Sequence, residues 1–292
     1  MAGTGKKWLI GCGIGCGFFI LVMAGVGTVG YFGVKKFADR TERIEETFDR
    51  MDAEYGHPSD FTPEIDGRIP TDRMEVFLAV RDGMQPVQQE VSGLFRTLDG
   101  SGDAGWMDKI QAGVKFLPSL LIFIEERNQV MLDQGMGVGE YQYIYALAYY
   151  GLLDKDPSDG PGFTVASDDD DDSDDGWRWE ANAGSKGDEE EVREKREREV
   201  RRFVNRVQSD VLANQLQALD EHAGDLAGLD FDIWRAELAA EAEAMDRESL
   251  RLLWEEGLPA QIRESLEPYR DRLDATYDDM TSILEMGLVE HN

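Results

Sequence analysis

Histidine, cysteine and lysine are scarce in this chain. Three histidines, His57, His222 and His291, leave little material for a histidine metal site or for proton transfer near neutral pH. Two cysteines, Cys12 and Cys16, exclude a disulfide scaffold. Both lie in an apolar segment, which argues against a nucleophilic cysteine. No Gly-x-Ser-x-Gly, His-Glu-x-x-His or phosphate-binding glycine loop ending in Gly-Lys-Ser/Thr occurs. Glu54-Tyr55-Gly56-His57 is a single Glu-x-x-His, where a di-metal bundle needs two. No cofactor is expected. No segment shows the alternation of a β-strand, and no internal repeat of fixed period is present.

Positive charge is in deficit as well. The 292 residues carry 60 acidic and 30 basic side chains, a formal net charge of −30. Phosphates would be repelled, so nucleic acid is not expected as a partner. The acidity is global: residues 37–153 carry −11, residues 154–191 carry −12 and residues 192–292 carry −11. Only nine lysines are present, four of them around one apolar segment, against 32 aspartates. Many short carboxylates with few lysines resemble the composition of proteins from salt-adapted organisms, where salt screens self-repulsion.

That apolar segment is the strongest signal. Residues 8–34 are 27 consecutive uncharged positions, framed by Lys6, Lys7, Lys35 and Lys36. About 20 apolar residues span a bilayer as a helix, so the run reads as an uncleaved transmembrane anchor. A cleaved signal peptide would be shorter and end in a small-residue site, and none precedes Lys35. Leu9-Ile10-Gly11-Cys12 resembles a lipoprotein lipobox, but four residues between Lys7 and Cys12 are too few for its apolar part. Two small-xxx-small pairs, Gly11 with Gly15 and Gly13 with Gly17, are candidates for close packing of two membrane helices. Flanking charge favours a cytoplasmic body by count, whereas the short tail suits an N-terminus kept inside; the side is left open. The layout of short basic tail, one span and helical body resembles single-pass bacterial membrane proteins in architecture only.

Past the anchor, Phe37, Thr41, Ile44, Phe48, Met51 and Tyr55 follow alternating four and three spacing, a short coiled-coil-like seam. It would serve self-association or docking on the body. Residues 56–70 are a turn-rich linker. A helix should start near Thr71 along Met74, Phe77, Leu78, Arg81, Met84 and Val87, with Pro86 kinking or splitting it. Residues 106–134 hold the most apolar stretch, 114–124, the expected centre of the fold. Pro118 should kink it or mark a fresh helix start, and Glu125, Glu126 and Arg127 should mark its exit from the core. Five tyrosines fall in residues 141–150. Tyr141, Tyr145 and Tyr149 are candidates for a partner surface, although aromatic faces more often serve packing.

Residues 154–187, with seven aspartates in 168–175, read as a disordered acidic insert. A long helix then carries the apolar face Val200, Phe203, Val204, Val207, Val211, Leu212, Leu216 and Leu219. Further helices fit 231–246, 247–256 and the Ile262–Leu284 pattern divided at Pro268. Three partial calcium-loop matches, starting at Thr62, Asp99 and Asp171, each lack the glutamate at position 12.

The expected architecture is therefore all-α, a single N-terminal transmembrane helix followed by a soluble bundle-like domain. Its parts are the tail and anchor 1–36, a juxtamembrane amphipathic helix 37–55, a first half 56–153, the insert 154–187 and a second half 188–292. The expected role is a membrane-tethered interaction or structural module. Its partners would be the bilayer, a second copy of itself through anchor and juxtamembrane helix, and an unidentified protein. The alternatives are a carboxylate-based or cation-dependent enzyme, or a weak calcium-binding module.

Overall fold

The computed structural model describes residues 40, 42–99, 106–161, 164–166, 178–180, 186–222, 231–245 and 250–287. The chain divides into two units, Met1–Glu46 and Thr47–Asn292. In the first, residues 40 and 42–46 are helical. The apolar run 8–34, with Gly11, Gly13, Gly15 and Gly17, lies outside the described residues. Among the described residues no helix is long and apolar enough to cross a membrane.

The second unit is helical in its body. Residues 47–55 form α1, followed by a single 3-10 turn, Pro58–Asp60. His57 caps that turn, its Nδ1 accepting from the Ser59 amide at 3.3 Å while Asp60 accepts from the His57 amide at 3.2 Å. The lone Glu-x-x-His thus ends in a cap. Met51 is buried and Tyr55 packs against the core, so the C-terminal end of the seam docks on this body.

Two 29-residue helices, α2 (Thr71–Asp99) and α3 (Trp106–Gln134), form the frame. They are antiparallel: Phe95 stacks on Phe116 at 5.5 Å, and a Cβ on Gly83 would meet Val130. Both prolines, expected to kink or split the helices, lie inside unbroken ones. Each faces solvent, where ring and missing amide cost least core packing. The expected exit of α3 at Glu125–Arg127 is also corrected, since the helix continues to Gln134 and Arg127 is fully buried. Gly135, at φ +71, terminates it.

Helix α4 (Val138–Tyr145) runs directly into a π-helical segment, Ala146–Leu152, and every residue of 141–150 is buried. Gly139 is required here: a Cβ would overlap the Pro58 carbonyl and Phe61. Part of the expected disordered insert is ordered. Residues 154–161 are fixed on α5 (Lys186–Glu221), with Arg193 bonding Asp156 at 2.9 Å and Arg196 bonding the Ser158 carbonyl at 2.6 Å and the Pro161 carbonyl. Two short strands, β1 (Thr164–Ala166) and β2 (Arg178–Glu180), pair antiparallel with Val165 opposite Trp179. The aspartate run 168–175 lies outside the described residues.

Helix α5 buries Val200, Phe203, Val204, Val207, Val211, Leu212 and Leu219, the face anticipated from spacing. Helix α6 (Phe231–Ala244) follows. The helix expected over 247–256 is absent from its described part: residues 250–259 are irregular, with Trp254 at φ +55 and Gly257 at φ +127. A left-handed tryptophan cannot continue a helix. Helices α7 (Ala260–Leu266) and α8 (Arg270–Thr276) flank a 3-10 turn holding Pro268, and α9 (Ser282–Glu285) closes the described chain.

Candidate functional site

The C-terminal segment inserts a polar group into the apolar frame. Arg81 of α2 and Glu285 of α9 form an ion pair in which both side chains are fully buried. Burying two charges is costly unless further bonds complete them. Here they do. The Glu285 carboxylate accepts from Gln88 at 2.6 Å and from the Thr281 hydroxyl at 2.9 Å. The Arg81 guanidinium donates to the Tyr141 hydroxyl at 2.9 Å and to the Thr276 carbonyl. It also lies over the rings of Tyr149, at 5.2 Å, and Tyr145, at 5.6 Å.

The backbone of the same segment is held by side chains. Arg127 donates to the Leu284 carbonyl at 2.9 Å and Gln142 to the Met286 carbonyl at 2.7 Å. Thus α2, α3 and α4 each supply a buried polar side chain to one short helix. This is what locates α9, since four residues cannot form a stable helix alone.

Tyr141, Tyr145 and Tyr149 are each at 0% exposure. The structure places them in the core around Arg81, not on a surface a partner could reach. Their rings pack successively, Tyr141 to Tyr145 at 6.0 Å and Tyr145 to Tyr149 at 4.4 Å. Tyr149 and Thr276 share a hydroxyl bond of 3.0 Å, whereas the Tyr145 hydroxyl has no partner among the described residues. Burial pushes the Tyr145 hydroxyl well above its ordinary pKa and raises that of Tyr143 as well.

The entry to the insert is a second polar knot. Asp159 accepts from the Tyr277 hydroxyl at 2.8 Å, and its carbonyl accepts from Ser282. Burial holds its carboxyl above the ordinary range. Asp156 lies below that range: burial opposes its charge, but bonds from Ser158 and the Arg193 guanidinium outweigh it. Arg196, buried with backbone carbonyls as acceptors, is lowered to about 10 by desolvation.

An open concavity lies elsewhere. A groove of about 530 Å³ runs between α6 and residues 251–260, the irregular segment and the first residue of α7. Glu237, Ala240, Glu241 and Ala244 form its helical wall; Arg251, Trp254, Glu256, Leu258 and Pro259 are among the residues opposite. Glu241 is buried and accepts from the Trp254 amide at 2.5 Å and from Arg251 at 3.2 Å. Arg251 also reaches Glu256 at 3.3 Å. Trp254 stacks on Trp234 at 6.0 Å.

The two carboxylates that converge in this groove, Glu241 and Glu256, both pair with the Arg251 guanidinium. The buried carboxylates among the described residues, Glu241 and Glu285, share no partner. Among the described residues no three His, Cys, Asp or Glu side chains form a metal-holding group. Of the three partial calcium loops, only that at Thr62 falls within the described residues. There Asp66 bonds the Arg68 amide at 2.9 Å, closing a turn around Gly67.

Sequence reasoning put Arg81 on an apolar stripe without naming its partner. A cation repeating in phase with Phe77, Leu78 and Met84 was the available signal for a buried ion pair. The groove has no comparable signal, since it depends on the non-helical course of 251–259. No family model, no curated protein and no solved structure matches this chain.

Proposed function

We propose that this is a single-pass membrane protein whose helical body acts as a protein-interaction or structural module. The observation that carries the reading is the pairing of a 27-residue uncharged run with a body whose convergent polar groups are spent on its own architecture. Arg81, Arg127 and Gln142 are consumed in holding α9. The open groove brings one buried carboxylate, Glu241, already taken by Arg251 and the Trp254 amide. A carboxylate-based enzyme would need two carboxylates open to a substrate, and Glu256, across the groove, shares the same Arg251.

The tether is tested by alkaline carbonate extraction of membranes carrying the whole chain, against the Ile20→Asp/Leu21→Asp variant. A charge at the centre of a span costs about 2.5–3.5 kcal/mol on insertion scales. We expect the native chain to remain with the membrane and the variant to be released. Release of both, or retention of both, contradicts the anchor.

A further inference from the structure

Just outside the groove, on the same face of α6 and one turn before Glu237, lies Ile233, a large hydrophobic side chain at 58% exposure. Ile233, Glu237, Ala240 and Ala244 succeed one another by four, three and four residues, so they share one stripe of α6. Leu250, at 39% exposure, is the sequence neighbour of Arg251, which lines the opposite wall. The part of the stripe that lines the groove, residues 237–244, is about 12 Å long at 1.5 Å per residue, room for about two turns of a second helix. Its floor is small or apolar at Ala240, Ala244, Leu258 and Pro259.

The rim is acidic. Glu237 is exposed and has no ion pair among the described residues, and the Glu256 side chain is 86% exposed. The Arg251 guanidinium already spans Glu241 and Glu256, which shows that this wall accepts a guanidinium. A second copy of so acidic a chain would bring like charge to the same rim. The complement is apolar on one face and cationic at its edges.

We propose that the groove between α6 and residues 251–260 docks a basic amphipathic helix of a partner protein. Apolar anchors fill the space beside Trp254 and Leu258, and Lys or Arg side chains pair with Glu237 and Glu256. This is the helix-in-groove mode, with burial supplying affinity and the rim supplying orientation and rate. The proposal rests on the interaction reading above and names the partner's chemistry.

The test uses the whole detergent-solubilised chain and a synthetic helical 18-residue peptide of leucine and lysine, with a leucine–glutamate peptide for comparison. Ala240→Arg fills the exposed floor, Glu237→Lys reverses the rim, and Glu243→Lys makes the same charge change on α6 outside the groove. Circular dichroism of each variant checks that helix content is kept. We expect the lysine peptide to bind, Ala240→Arg and Glu237→Lys each to weaken it about tenfold or more, and Glu243→Lys to leave it within about twofold. Binding that ignores Ala240→Arg, or falls equally with Glu243→Lys, is diffuse attraction to an acidic protein and overturns the proposal. So does equal binding of the glutamate peptide, or no binding of either. Carbonate extraction reports on the anchor independently, so loss of the groove and loss of the tether are told apart.

Discussion

At the scale of single residues, charge burial makes the sharpest claims. Removing one partner of a buried pair strands the other charge and costs about 3–5 kcal/mol. We therefore expect Glu285→Gln and Arg81→Met each to lower the urea midpoint strongly, and the double variant to cost less than the two combined. Additive losses would mean that the pair is not coupled. Asp159 and Asp156 should differ in sign. The folded carboxyl of Asp159 is raised, so its stabilising share is present below the unfolded pKa and is lost as pH rises through the folded one. Asp159→Asn should hence be neutral or stabilising at pH 7 and lose that gain in acid. The folded carboxyl of Asp156 is lowered, so its share is present above the unfolded pKa and is lost as pH falls through the folded one. Asp156→Asn should cost up to about 1 kcal/mol at pH 7, little for a partly exposed pair, and nothing in strong acid. Urea midpoints at the two pH values decide both.

At the scale of elements, the tyrosine segment links local pattern to packing. Tyr145→Phe removes a buried hydroxyl without a partner and should be neutral or stabilising. Tyr149→Phe breaks the bond to Thr276 and should cost about 1 kcal/mol. Equal losses would show that the Tyr145 hydroxyl is satisfied after all. Gly139→Ala should cost about 1–3 kcal/mol, because its methyl meets the Pro58 carbonyl. Elements whose signals are local were legible in the sequence: the start at Thr71, the apolar face of α5, the division at Pro268. Effects set by distant partners were not. Arg127 reads as a helix leaving the core until the Leu284 carbonyl is brought to it, 157 residues on. Pro86 and Pro118 read as kinks or helix divisions because spacing alone does not say which face meets water. The groove was invisible because residues 247–256 look helical by the spacing of Leu250, Leu253 and Trp254, while packing puts Trp254 at positive φ.

At the scale of the whole molecule, net charge and the two-part layout dominate. With a formal charge of −30, self-repulsion opposes compaction and salt screens it. We expect the unfolding midpoint to rise steadily as potassium chloride is increased from about 0.1 to about 2 M, where the Debye length falls from about 10 Å to below about 3 Å. A midpoint independent of salt would remove the salt-adapted reading of the composition. The most direct measurement of a membrane-tethered interaction module is site-specific photo-cross-linking in intact membranes, with the photoreactive group placed in turn at Ala240 and at Glu243. We expect a discrete protein adduct from Ala240, absent from Glu243 and lost with Glu237→Lys or when Ile20→Asp/Leu21→Asp releases the chain. Identical adducts from both positions, or an adduct that survives release from the membrane, would contradict the membrane-tethered reading.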